Sequence, residues 1–216
     1  MLRRIFLLGL LISGLIGNTQ AQERRLFRLF ANLPDTAVIG LTTGQRQELI
    51  QNFRNERQRY QQDLPYRLHT VDHGNGFLGL DGAFEGVWQM CYWNLSDGRQ
   101  LICTYAEGCG PVCQAVQFDF YYHDQGKITH VPRLQVIPEF VGIEKRFLRG
   151  APDETYRIFN EKDIIATVVY RIPRRGKNIT IVFGNEEPDE RYRPYVHGTK
   201  IDLIWQDGRF TVGEPY

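Results

Sequence analysis

Residues Met90–Val131 read MCYWNLSDGRQLICTYAEGCGPVCQAVQFDFYYHDQGKITHV, and this stretch decides the fold. It alternates short apolar runs with tight polar turns, the period-two signature of antiparallel strands. Ser96-Asp97-Gly98 suits a three-residue hairpin loop whose last residue takes a positive φ, which glycine adopts without steric cost. With that loop, Leu95 faces Arg99, and counting outward sets Cys91 opposite Cys103. Facing Cβ atoms in an antiparallel pair lie about 4.5–5.5 Å apart, within reach of a cross-strand disulfide. A two-residue loop would offset the cysteines by one and point them to opposite faces. A second turn at Asp124-Gln125-Gly126 joins the aromatic strand AVQFDFYYH to KITHV.

All four cysteines fall within this stretch, between positions 91 and 113. An even count in a tight cluster reads as two disulfides in an oxidising compartment. Three pairings exist, and the turns favour Cys91–Cys103 and Cys109–Cys113. The alternative is a zinc site of four thiolates, although C-x11-C-x5-C-x3-C lacks the paired C-x2-C knuckles of such sites.

Upstream, MLRRIFLLGLLISGLIGNTQAQ carries Arg3 and Arg4, an apolar run from Ile5 to Ile16, and small residues at Thr19 and Ala21. That is the pattern of a secretory signal peptide over residues 1–21. The run is shorter than the ~20 residues that a membrane span needs, so no span is expected after cleavage. The expected location is the periplasm or the medium. Cleavage leaves 24 basic against 25 acidic residues, and so near-neutral a chain has no global bias towards nucleic acid or anionic lipid.

Residues 22–33 form an amphipathic lead-in. A longer helix is expected from about Gly44 to Gln61, with Thr42 and Gln45 in capping-box register. Its apolar positions Leu49, Ile50, Phe53, Tyr60 and Leu64 fall near one face, which suits a helix lying on a sheet. From Tyr66 the period becomes two, and YRLHTVDH, GFLGLDG and FEGVWQMCYWNL lead into the central stretch as a meander. Residues 137–149 read as a short helix or irregular link. A worn repeat then shows. MCYWNLSDGRQ aligns on VVYRIPRRGKN at a shift of 78, pairing Tyr92 with Tyr170, Gly98 with Gly176 and Arg99 with Lys177. FDFYYHDQGKITHV matches IDLIWQDGRFTV at a shift of 82–83, pairing Asp119 with Asp202 and Gly126 with Gly208. Two segments in one order at nearly one shift point to duplication. The expected organisation is a first helix-plus-sheet repeat over 22–135, holding the cysteines, and a second over 136–216.

The opening LFANLPDTAVIGLTTGQRQELI, the SDG hairpin, the Gly110-Pro111 step and the Phe120-Tyr121 strand resemble a family of uncharacterised secreted proteins from gut-type Gram-negative bacteria. The resemblance spans most of the mature chain. It implies an α+β fold of two tandem repeats, each a helical segment followed by an antiparallel sheet, similar to the β-lactamase inhibitor protein. It implies no activity, and the cysteine cluster departs from the pattern expected of the family.

Few motifs carry chemistry. His69 and His73 flank Asp72, but in a strand i and i+4 side chains lie about 13 Å apart, too far to share a metal. There is no G-x-S-x-G, no phosphate-cradling loop and no dinucleotide fingerprint. Asp81 with Glu85, or Glu186, Glu187 and Asp189, are the carboxylate groupings available to a glycoside hydrolase, which holds its pair about 5–9.5 Å apart. The aromatic residues are the remaining candidates. Alternation sends Phe118, Phe120 and Tyr122 to one face and Asp119 and Tyr121 to the other, and sets Trp88, Met90 and Tyr92 against Cys91 and Trp93. An outer sheet face bearing Trp93 and Tyr121 is the expected binding surface. The functional expectation is an exported, non-enzymatic interaction module without a cofactor, meeting another envelope protein or a glycan. Its rivals are an envelope hydrolase and a structural subunit of an envelope assembly.

Overall fold

The computed structural model describes residues 24–55, 66–82, 86–110, 113–162, 167–184, 191 and 193–216. The expected signal peptide, the end of the long helix and the acidic run at 186–189 lie outside these residues. The first helix, α1, covers residues 24–32. Its apolar face buries Leu26, Phe27, Leu29 and Phe30 almost completely. A 3₁₀ turn at Asp35–Ala37 leads to α2, Thr43–Arg54. Thr42 caps α2 as expected: its hydroxyl accepts from the Gln45 N–H, and the Gln45 side chain accepts from the Thr42 N–H at 2.9 Å.

Six strands follow as one antiparallel meander: β1 Tyr66–Asp72, β2 Phe77–Gly82, β3 Gly86–Asn94, β4 Gln100–Cys109, β5 Cys113–Asp124 and β6 Lys127–Val131. The Ser96–Gly98 loop has the expected geometry. The Leu95 N–H donates to the Arg99 carbonyl at 2.9 Å, Gly98 takes φ +88°, and Cys91 stands opposite Cys103. The second hairpin has a tighter loop of two residues, with Asp124 paired to Lys127. Gln125 and Gly126 have φ of +46° and +87°, the left-handed pair of a type I′ turn.

After β6 come a short helix α3, Arg133–Val136, a 3₁₀ stretch at Ile143–Phe147 and α4, Pro152–Glu161. Four more strands then form a second antiparallel meander: β7 Val168–Arg171, β8 Ile179–Phe183, β9 Lys200–Gln206 and β10 Arg209–Val212. The chain is thus α+β, helices and a six-stranded sheet followed by a helix and a four-stranded sheet.

The two sheets are separate and pack face to face. Between them lies one apolar core built from Trp93, Leu101, Tyr105, Phe118 and Phe120 on the first sheet and Tyr170, Ile179, Ile181, Leu203 and Phe210 on the second. Phe118 stacks on Tyr170 at 4.0 Å with 7° between planes, and Trp93 on Trp205 at 5.1 Å with 15°. The opposite face of the six-stranded sheet carries Leu68, Leu80, Trp88, Met90, Ile102 and Tyr121 against α1 and α2. The six-stranded sheet is therefore a middle layer, apolar on both faces. Within β4, Leu101 to Ala106 are all buried, even the polar Thr104, so the strand has no solvent-facing alternation over this run.

This layering corrects the expected binding face. The alternation within each strand is as read from the sequence, but Leu101 pairs with Trp93 on one side and with Tyr122 on the other. Trp93 thus shares a face with Tyr122, and Tyr121 points the other way. Trp93 is 5% exposed beneath the second sheet and Tyr121 2% exposed beneath the helices. The two rings form no common outer surface.

Candidate functional site: an apolar cleft beside the disulfide-closed hairpin

At the end of the six-stranded sheet where β4 turns into β5, Cys109 faces Cys113 and the two are disulfide-bonded. The bridge holds the last pair of this hairpin together. Just inside it the register slips: Ala106 pairs with Gln117 and Glu107 with Ala115, so Val116 is the extra residue of a β-bulge. A bulge leaves one residue out of the ladder and re-aims its side chain. Val116 is accordingly 59% exposed, the one exposed large apolar side chain of β5.

The bulge rims a cleft of about 560 Å³. Its lining includes Ile39, Tyr66, Val87, Trp88, Ala106 and Val116. Its lining is mainly apolar, and the volume falls in the range of sites for drug-sized ligands. Among these Trp88 is held firmly, because its indole N–H donates to the Ala37 carbonyl at 2.9 Å. Glycine is needed at position 86 of the lining: a Cβ there would lie 1.9 Å from the Glu107 carbonyl oxygen.

Glu107 is the one carboxylate among the described lining residues, and its charge is already engaged. It accepts from the Tyr105 hydroxyl at 2.6 Å and pairs with Arg171 of the second sheet at 2.8 Å. Burial, reinforced by that hydrogen bond, pushes the Tyr105 phenol above its ordinary range, so it donates as a neutral group. The cleft therefore presents apolar surface next to a neutralised ion pair.

The other sequence candidates are dispersed. Cys91 and Cys103 do face each other, but they are free, buried thiols rather than the expected disulfide. Counting from the Leu95–Arg99 hydrogen bond puts them at a hydrogen-bonded position, where Cβ atoms stand further apart than at the alternate pairs. Burial, then the neighbouring Cys91 thiol, holds the Cys103 thiol well above its usual range. The four sulfurs do not converge. Ligand atoms of Glu107, Cys109 and Cys113 lie within 4.8 Å of one another, but the two sulfurs are bonded to each other. His69 sits at a second bulge, in β1, with its ring against the Thr70 hydroxyl, while the His73 ring packs edge-on to Phe27. Asp81 is held by a two-pronged bond from Arg67 at 2.7 and 2.8 Å. Glu85, Glu186, Glu187 and Asp189 lie outside the described residues.

Sequence reasoning missed the cleft. Cys109, Cys113 and the adjoining glycines were visible, but a bulge leaves no mark on the alternation until the partner strand is known.

No protein-family model matches this chain, and no curated protein matches it. Among solved structures it is similar to a domain of an uncharacterized protein from Porphyromonas gingivalis W83, with a TM-score of 0.59. The identity is 17%, and the match covers 87% of this chain and 96% of that one. The α+β architecture is thus shared with a bacterial domain across nearly its full length.

Proposed function

We propose that this chain is an exported, non-enzymatic binding module that takes an apolar segment of another envelope protein into the cleft beside Cys109–Cys113. The observation that carries this reading is the cleft itself: about 560 Å³, mainly apolar, and rimmed by an exposed valine on a bulge. A mainly apolar lining whose one charge among the described residues is spent on Arg171 suits a side chain or short peptide stretch better than a glycan, which needs many free polar partners. The binding surface moves in this reading from the outer sheet face to the end of the sheet.

The same reading treats the chain as two helix-plus-sheet repeats dividing after the first sheet. Its support is the matching order of hairpins. The β3–β4 and β7–β8 turns both hold glycine at positive φ, Gly98 at +88° and Gly176 at +81°. The β5–β6 and β9–β10 turns are both two-residue loops, Gln125-Gly126 and Asp207-Gly208, left-handed throughout. The β-lactamase-inhibitor-like kinship and the uncharacterised secreted family belong to this proposal.

A photo-reactive residue at Val116, with Ile204 on the second sheet as control, tests the site in cells. A cross-link that forms only from position 116, to an apolar segment mapped by mass spectrometry, supports it. No cross-link, or the same product from both positions, overturns it. Once the partner is in hand, Val116→Lys should weaken its binding about tenfold, a loss of ~1.4 kcal/mol. Export is tested separately: the protein isolated from cells should begin at Gln22, and a chain retaining Met1 would refute it.

A further inference from the structure

Cys109 and Cys113 form the last pair of the β4–β5 hairpin and stand four positions apart in sequence. A disulfide stabilises mainly by closing a loop in the unfolded chain, an effect that shrinks with loop length. Here the loop is short and the ladder already sets the two residues face to face, so the bond adds little to the fold. Its surroundings point to another use. Cys109 lines the apolar cleft together with Ala106 and Val116, and both cysteines are half-buried. Cys91 and Cys103, which also face each other, are free thiols shut into the core at 2% and 0% exposure. The oxidised pair is thus the one that a ligand in the cleft can touch, and exposed disulfides are the ones that exchange most readily.

We propose that the Cys109–Cys113 disulfide is a covalent clasp: a partner segment seats in the cleft, and a cysteine within that segment exchanges with the bridge. The clasp rests on the cleft as the binding site and adds that the partner segment carries a thiol. The partner's thiolate attacks Sγ of Cys109, the half of the bridge that lines the cleft. A sulfur–sulfur bond forms between partner and Cys109 while the Cys109–Cys113 bond breaks, and its electron pair leaves on Cys113. The proton shed by the partner thiol passes through solvent to Cys113. One disulfide replaces another, so no outside oxidant is consumed. Attack by Cys113 on the new bond frees the partner again. A carboxylate oxygen of Glu107 lies within 4.8 Å of both sulfurs and would repel a thiolate left on Cys113. Arg171, 2.8 Å from the Glu107 carboxylate, offsets that charge.

The test uses the full oxidised chain at about pH 8 with a short peptide whose single cysteine is flanked by leucine and valine. A counterpart with serine and threonine in the flanking positions is the polar control. After quenching with a thiol-alkylating reagent, mass spectrometry maps the adduct. The apolar peptide should be bonded to Cys109 with Cys113 alkylated, and its adduct should form about tenfold faster than that of the control. Val116→Lys, at an exposed position, should remove the preference. No adduct, an adduct on Cys113, equal rates for the two peptides or a preference that survives Val116→Lys would each overturn the clasp. The apolar peptide with serine in place of cysteine reads the cleft alone. If that version binds while the cysteine peptide forms no adduct, the clasp falls and the cleft reading stands.

Discussion

Arg46 shows how one side chain organises a loop. It is fully buried, and its guanidinium donates to the carbonyls of Leu41 at 2.7 Å, Ala31 at 3.4 Å and Leu33. It also reaches the Thr43 hydroxyl at 2.9 Å and the Asp35 carboxylate at 3.1 Å. The four N–H groups of Nη1 and Nη2 are thus spent on the end of α1, the 3₁₀ turn and the start of α2, while the Nε N–H has no hydrogen-bond partner among the described residues. Arg46→Ala would leave those carbonyls unpaired in the interior and should cost roughly 3–5 kcal/mol in chemical denaturation. Arg46→Lys keeps the charge but not the fork, and should recover less than half of that loss. The cysteines give a second expectation at this scale. Denatured under non-reducing conditions, the protein should titrate two thiols, Cys91 and Cys103, and intact mass should show one disulfide. In the folded state neither thiol should react, since both are buried.

Among the elements, the hairpins follow most directly from local chemistry. The Thr42–Gln45 capping box, the Ser96–Gly98 loop and the facing of Cys91 with Cys103 were all legible, because each depends on residues a few positions apart. The Gln125-Gly126 turn has a less suitable residue at its first left-handed position than the structure asks for. Asn is preferred over Gln there because it tolerates positive φ. Gln125→Asn should therefore raise stability by about 0.5 kcal/mol in a thermal or denaturant melt, while Gly126→Ala, at φ +87°, should lower it by ~1 kcal/mol. The Val116 bulge shows where local reading stops. Nothing in AVQFDF marks the extra residue, and only its pairing with β4 reveals that the ladder slips and the valine swings outward.

For the whole molecule, the governing fact is that the second sheet covers the first. Phe118, Phe120, Leu101 and Trp93 are buried only because Tyr170, Phe210 and Trp205 lie against them. Cross-sheet polar links add to this: Arg171 to Glu107, Arg174 to Asp72 at 2.9 Å, and the Trp93 indole to the Lys177 carbonyl at 3.1 Å. Residues 22–135 expressed alone would expose that entire aromatic face, a patch far larger than soluble monomers tolerate. The fragment should aggregate or bind an apolar dye strongly, and adding residues 136–216 in trans should quench the dye. A dye-silent, cooperatively folding fragment would show the first unit to be independent. Phe118→Ala in the full chain should cost roughly 3–5 kcal/mol, as expected for truncating a fully packed ring.

By itself the sequence did not determine α4, Pro152–Glu161, where it showed only a break at Gly150–Asp153. It did determine most of the strands, the Ser96–Gly98 turn, the Thr42 cap of α2 and the cysteine that faces each cysteine. These are short-range consequences of backbone geometry and side-chain period, and they need no knowledge of distant residues. Tertiary structure alone decided what each sheet face touches. Alternation within one strand says which side chains share a face, but the bulges and turns between strands set which faces combine, and packing between sheets sets whether water reaches them. For that reason Trp93 and Tyr121 ended on opposite buried faces, and the opening in the surface lies at Val116 instead.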